Sequence, residues 1–353
     1  MKKLHLIFPI LFCLSLLLFP SAALKGARVG ISLWWERVFP ALLPFLLCCS
    51  LMKKLGFLSL FSSSRRLRLL PVVIFGALSG YPAGAVMLSS YVEQGTLCSK
   101  EAQTMSYITN LCSPAFLMTI LSLGLFENKR VFFPLLTAHI LTLLIFALLI
   151  KLPSPAPLVT PPNVKLPEAI TSSIGETMLQ LLKIGGCIAL CSVLSELLFS
   201  VLRVENPLLC AIIGGCIELT YGCNALLATA LPLRYQLALA GFFTAFGGLS
   251  IALQSLCFLK MDSTPRYLFV KFLMGLCTGL VCYLITPLFL PDSLIPTFSL
   301  GKDELKNALT TGGILFCSAV SLSFILFLAL LMKYGLKKAA LPVGAVSKRQ
   351  HSI

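Results

Sequence analysis

Glu218 carries a titratable group where such a group is costly. It lies in Ile213-Gly214-Gly215-Cys216-Ile217-Glu218-Leu219-Thr220-Tyr221-Gly222, between a glycine pair and a Thr-Tyr-Gly turn, inside an otherwise apolar segment. A carboxyl near the centre of a bilayer is expensive and marks a functional site by default. It can carry a proton, face a cation, or accept hydrogen bonds from a polar solute. The structural alternative is a protonated Glu bonded to a neighbouring broken helix. Ser79, Asn110, Ser113, Thr220, Ser250 and Gln254 are the polar side chains that would complete a substrate-binding site around it. Tyr81 offers a ring for stacking, and Gly80 and Gly248 let backbone groups reach a ligand. Against this, Gly, Ser and Thr also let membrane helices pack closely.

The spacing favours the functional reading of the set. Phe75-Gly76-Ala77-Leu78-Ser79-Gly80-Tyr81-Pro82-Ala83-Gly84 is followed by a second break, Asn110-Leu111-Cys112-Ser113-Pro114. The Glu218 segment and Gly247-Gly248-Leu249-Ser250 repeat this order roughly 137 positions later. Paired, interrupted apolar segments at matching places in two halves point to a transporter-like central site.

Other chemistry finds no support in the sequence. Of the three histidines, His5, His139 and His351, none forms a zinc motif, and there is no phosphate-binding loop and no Gly-x-Ser-x-Gly. No enzyme, cofactor, metal site or catalytic residue is expected. The 14 cysteines lie mostly in apolar runs and read as packing residues. His139 reads as a buried, hydrogen-bonded side chain. Glu176, Glu196, Lys183 and Lys271 read as marks of segment ends or of the interface.

The elements that must position these residues are membrane helices. The chain has 353 residues, 58% hydrophobic and 12% charged, with mean hydropathy +0.95. Soluble domains carry about 25% charged residues, so a polytopic membrane protein is implied. Long apolar runs without strict alternation exclude a β-barrel. The net charge of +15 is concentrated in clusters such as Lys53-Lys54, Arg65-Arg66-Leu67-Arg68 and Lys337-Lys338. That is the signature of cytoplasmic loops and anionic-lipid contact rather than of nucleic-acid binding.

Along the chain, residues 1–27 read as an N-terminal transmembrane helix, with a cleaved signal peptide as the alternative. Residues 28–152 form a first repeat, 153–168 a proline-rich linker, 169–290 a second repeat, and 291–353 a last helix at 309–332 with a basic tail. Each repeat has four apolar elements. If the interrupted segments 69–92 and 207–231 span fully, the repeats are parallel. If they are re-entrant hairpins, the repeats are inverted. About 11 residues separate the start of each segment from its break, a rise of roughly 16–18 Å against a hydrocarbon core of about 30 Å. Breaks near mid-depth favour hairpins. The expected fold is therefore all-α and polytopic, with two inverted repeats, each holding a re-entrant hairpin and a broken helix.

The Ser79–Gly84 motif, Asn110 with Ser113-Pro114, Glu218–Gly222 and Phe246–Ser250 together resemble the YlbJ-type sporulation integral membrane proteins, within the wider Gate, or nucleoside-recognition, domain group. The resemblance covers residues 28–290. It implies two Gate-type repeats around a central site and a multi-pass protein of the cytoplasmic membrane in a spore-forming bacterium. It implies no substrate. The function expected is a transporter or permease for a small polar solute or ion during spore development. The alternative is a non-transporting scaffold in spore-envelope assembly. Expected partners are membrane lipids, and either further copies of the chain or other sporulation membrane proteins.

The topology is decided by the side on which 153–167 lies. A single reactive cysteine there, in a background cleared of accessible native thiols, is expected to be shielded from an impermeant reagent outside the cell. Labelling from outside would establish ten full spans and a parallel duplication.

Overall fold

The computed structural model describes residues 4–56, 69–150 and 164–290. The last expected helix at 309–332, the basic tail and most of the linker lie outside the described residues. Among those described, every regular element is a helix: α1 (Leu4–Leu18), α2 (Pro20–Ser32), a π-helical turn (Leu33–Val38) and α3 (Phe39–Lys54). Then come α4 (Leu70–Ser79), α5 (Ala83–Glu93), α6 (Ser99–Thr109) and α7 (Pro114–Phe116), which runs on as a π-helix over Leu117–Leu125. After a 3-10 turn (Lys129–Val131) follow α8 (Phe132–Leu149), α9 (Leu166–Leu202), α10 (Pro207–Ile217), α11 (Leu219–Leu226), α12 (Leu233–Phe246), α13 (Gly248–Leu256) and α14 (Thr264–Phe289).

Among the described residues, five helical stretches are long and apolar enough to cross a membrane: Ser99–Leu125, Lys129–Leu149, Leu166–Leu202, Leu233–Leu256 and Thr264–Phe289, or six if the bent pair at the N-terminal end counts as one span. The chain is an all-α, multi-pass membrane protein. One expectation changes at the N-terminal end. The apolar run 4–24 is not one helix but is bent by 106° between α1 and α2. Pro20 has no N–H to continue the ladder, and Phe19 before it leaves helical geometry, with φ −127° and ψ 58°. Farther along the chain, residues 166–202 form one unbroken 37-residue helix, α9. At 1.5 Å per residue it is about 55 Å long, well beyond the hydrocarbon core.

All four expected breaks are present. Gly80 sits at φ +79°, ψ −176°, a region open essentially to glycine, and ends α4. Asn110 ends α6, and Ser113 caps the next helix by accepting from the Phe116 N–H at 3.1 Å. A single extended residue, Glu218, separates α10 from α11. Gly247 and Gly248, with φ +81° and +68°, separate α12 from α13.

Small residues set how the helices meet. A Cβ on Gly222 would overlap the Cα of Gly215, so α10 and α11 fold back on each other with their backbones in contact. A Cβ on Gly76 or Gly84 would overlap the Thr109 carbonyl, so both α4 and α5 seat on the end of α6. Gly26 and Gly30, four apart on α2, press on Val193 and Ala189 of α9. The larger buried side chains fill what remains: Leu46, Ala83, Val86, Leu181, Ile184 and Ile188 between α3, α5 and α9, and Leu117, Leu121, Leu135, Leu219, Leu237 and Phe243 where the two halves meet.

Gly222→Ala is expected to cost about 2–4 kcal/mol, because backbone faces backbone and nothing can yield. Gly175→Ala, where a Cβ meets nothing within 4 Å, should be neutral or gain up to about 1 kcal/mol of helix propensity. Thermal unfolding of the two purified variants in detergent checks the contrast.

Candidate functional site

The breaks meet in pairs. In the first half, the tip of the α4–α5 pair docks on the break after α6. The Tyr81 N–H donates to the Leu111 carbonyl at 2.8 Å, and a Cβ on Gly80 would lie 2.9 Å from Ser113. In the second half, the break before α13 docks on the tip of the α10–α11 pair. A Cβ on Gly248 would lie 2.9–3.1 Å from the carbonyl oxygens of Cys216, Ile217 and Gly215. The same kind of contact is thus made in both halves by residues that the spacing pairs.

Between the two tips lies a cavity of about 60 Å³, room for a few waters. Of the ten residues singled out in the sequence, seven line it: Ser79, Gly80 and Tyr81 from the first pair, Ser113 from the first break, Glu218 and Thr220 from the second pair, and Gln254 from α13. The remaining three stand behind the wall. Ser250 accepts from Gln254 Nε2 at 3.1 Å and fixes that amide. Gly248 makes the close approach to α10. Asn110 is fully buried in a separate network, donating through Nδ2 to Ser255 Oγ at 2.6 Å and to the Tyr267 hydroxyl at 2.8 Å.

Glu218 is 2% exposed. It starts α11, accepting the Tyr221 N–H on Oε2 at 2.7 Å. Among the described residues no cation lies within 4 Å of it. The carboxyl is therefore held by the start of a helix and offered to a cavity. The helix beginning at Pro114 also opens toward this space, capped by Ser113. Two helix N-termini thereby bring N–H groups and positive dipole ends to one small volume. The Tyr81 hydroxyl points elsewhere, at the Thr244 carbonyl at 3.4 Å, so it ties the first tip to α12.

Several residues were not singled out from the sequence. The apolar wall comes from Val38, Leu42 and Phe45 of the α2–α3 stretch and Ile188 of α9; nothing in the motif spacing marks them. Gly26 and Gly30 carried a readable signal, small residues four apart. Lys271 is a correction: expected at the interface because it follows Arg266 closely, it is 1% exposed and donates to the Asn110 carbonyl at 3.0 Å. At about 100° per residue the two side chains point roughly 140° apart, whereas Tyr267 and Lys271 share a face. Glu196, expected near a segment end, is 6% exposed and pairs with Lys25 at 3.0 Å and the Tyr221 hydroxyl at 3.3 Å. Glu176 joins Lys53 and Lys54 at 3.7 and 3.1 Å. His139 Nδ1 lies 2.8 Å from the Leu135 carbonyl one turn back on its own helix.

No protein-family model matches the sequence, and no solved structure matches it. The chain is similar to the sporulation integral membrane protein YlbJ of Bacillus subtilis (strain 168), 26% identical over 289 residues that cover 67% of this chain and 70% of that protein.

The cap separates two roles of Glu218. Glu218→Ala should lower the melting midpoint by roughly 2–4 °C through loss of the helix cap, while Glu218→Gln, which keeps an acceptor oxygen, should stay within about 1 °C of wild type. Thermal unfolding in detergent is the measurement.

Proposed function

We propose that the chain is a YlbJ-type sporulation membrane protein of the cytoplasmic membrane of a spore-forming bacterium, and that it carries a small polar solute or an ion between its two hairpin tips. In this reading the α4–α5 and α10–α11 pairs are re-entrant hairpins of two inverted Gate-type repeats, and one repeat rocks against the other around the cavity. The observation that carries the reading is the cavity itself. Its polar lining is drawn from both hairpins and both broken helices, and it contains a deeply buried carboxyl with no cation beside it among the described residues. Packing alone gives no reason to direct Ser79, Ser113, Glu218, Thr220 and Gln254 at one small space. The short helices fit the hairpin picture. The 10 residues of α4 and 11 of α10 reach about 15–17 Å, near half the hydrocarbon thickness. Similarity to a protein named for sporulation supports the physiological setting and leaves the solute open.

Glu218 would bind the proton, cation or polar group that moves, and Gln254 and Ser113 would supply neutral hydrogen bonds. Asn110, Ser250 and Gly248 would position these groups from behind. The test is complementation in an endospore-forming host lacking its own relative. Wild type is expected to restore spore formation. Glu218→Gln, present at normal level in the membrane and folded, is expected to fall to the level of an empty vector. Full activity of both Glu218→Gln and Asn110→Ala, with sensitivity confined to loop substitutions, would instead establish a scaffold whose polar breaks serve packing.

A further inference from the structure

Lys271 is a buried cation with no counter-ion among the described residues. It projects from α14 with 1% of its surface exposed, and its Nζ donates to the Asn110 carbonyl oxygen at 3.0 Å. Among the described residues no carboxylate lies within 4 Å of it. The titratable groups near it are the Cys112 thiol on the break and the His139 imidazole on α8, neither of them a carboxylate. An ammonium in an apolar interior is costly unless something specific holds it.

The group that holds it has a particular origin. The α6 helix ends at Thr109 with Asn110 as its cap, so the carbonyl oxygens of its last turn have lost their helical donors and carry the negative end of the helix dipole. Other neutral oxygens gather around the side chain of the same residue. The Tyr267 hydroxyl and Ser255 Oγ both accept from Asn110 Nδ2. Asn110 Oδ1 has no hydrogen-bond partner although the residue is 0% exposed. Carbonyl, amide and hydroxyl oxygens at an unwound helix end are the donor set that binds monovalent cations inside membranes. Neither Lys271 nor Asn110 lines the cavity at Glu218.

We propose that the break after α6 is a monovalent-cation site whose resident occupant is the Lys271 ammonium, tethered from α14 in place of a free ion. The tether ties the broken helix of the first half to the last described helix of the second, and it satisfies the freed carbonyl without drawing an ion from solution. The inference stands whether or not a solute passes between the hairpins.

Shortening the tether should expose the site. In wild-type protein in detergent, the melting midpoint is expected to be the same in sodium, potassium and choline chloride. Lys271→Ala should melt about 5 °C lower in choline chloride and recover at least half of that loss in sodium or potassium chloride. Lys271→Met fills the volume without charge and should be destabilised in all three salts with no recovery. Adding Tyr267→Phe to Lys271→Ala should weaken the recovery by removing one oxygen. Equal response of the alanine and methionine variants to every salt would overturn the proposal. So would wild-type stability in both, or an alanine variant that aggregates in all three salts.

Discussion

A helix that stops inside an apolar molecule leaves N–H and carbonyl groups that no water reaches, and every break in this chain must answer for them locally. The structure does so by pairing breaks with one another and with single side chains. Tyr81 N–H takes the Leu111 carbonyl, Lys271 takes the Asn110 carbonyl, Ser113 takes the Phe116 N–H and Glu218 takes the Tyr221 N–H. Remove the requirement and little else follows. The hairpin tips would have no reason to seat on the broken helices, and the polar residues no reason to converge.

That requirement also explains the distribution of glycine. A break can be answered by a neighbouring backbone only if that backbone comes within hydrogen-bonding distance, and a Cβ at Gly76, Gly80, Gly84 or Gly248 would prevent it. The glycines thus act twice, once by permitting the positive φ at Gly80, Gly247 and Gly248, and once by letting strands of bare backbone touch. Where α14 meets α6 and α8 away from the breaks, the contacts are of another kind. Gln103 and Ser263 exchange hydrogen bonds at 2.9 and 2.8 Å, Thr278 donates to Thr142 at 3.0 Å, and Tyr107 stacks on Tyr267 with centroids 5.9 Å apart.

Much of this was legible because Gly and Pro act locally. The breaks at Ser79–Pro82, Asn110–Pro114, Glu218 and Gly247–Gly248 were placed from residue type alone, and the spans around them differ from expectation by only a few residues at their ends. Partners across the molecule were not legible. Nothing near Asn110 in the chain announces Tyr267 or Lys271, some 160 positions away. The 106° bend before Pro20 was missed because hydropathy counts apolar residues and is blind to one absent N–H. The burial of Lys271 follows from its angle around the helix, which its short distance from Arg266 along the chain does not reveal.

The two sets of contacts have different mechanical character. At Gly76, Gly84, Gly222 and Gly248 the contacts within each half are backbone against backbone, with no side chain there to rearrange, so the helix pairs and the breaks they seat on are stiff. Contacts between the halves are mixed: an apolar core at Leu117, Leu121, Leu135, Leu219, Leu237 and Phe243, the close seating of Gly30 on Ala189, side-chain hydrogen bonds and, at one end, the Glu176–Lys53 and Glu176–Lys54 ion pairs, whose partners are partly exposed. The exposed ion pairs among these are worth little individually, whereas the apolar core and the buried hydrogen bonds hold the halves together. The cavity at Glu218 lies where the break assemblies of the two halves face each other, with polar lining from both. At the α6–α14 junction the Lys271–Asn110 bond adds a buried cation on a freed carbonyl to the buried Asn110 contacts with Ser255 and Tyr267, and none of these can be surrendered to an apolar surrounding without leaving a polar group unpaired.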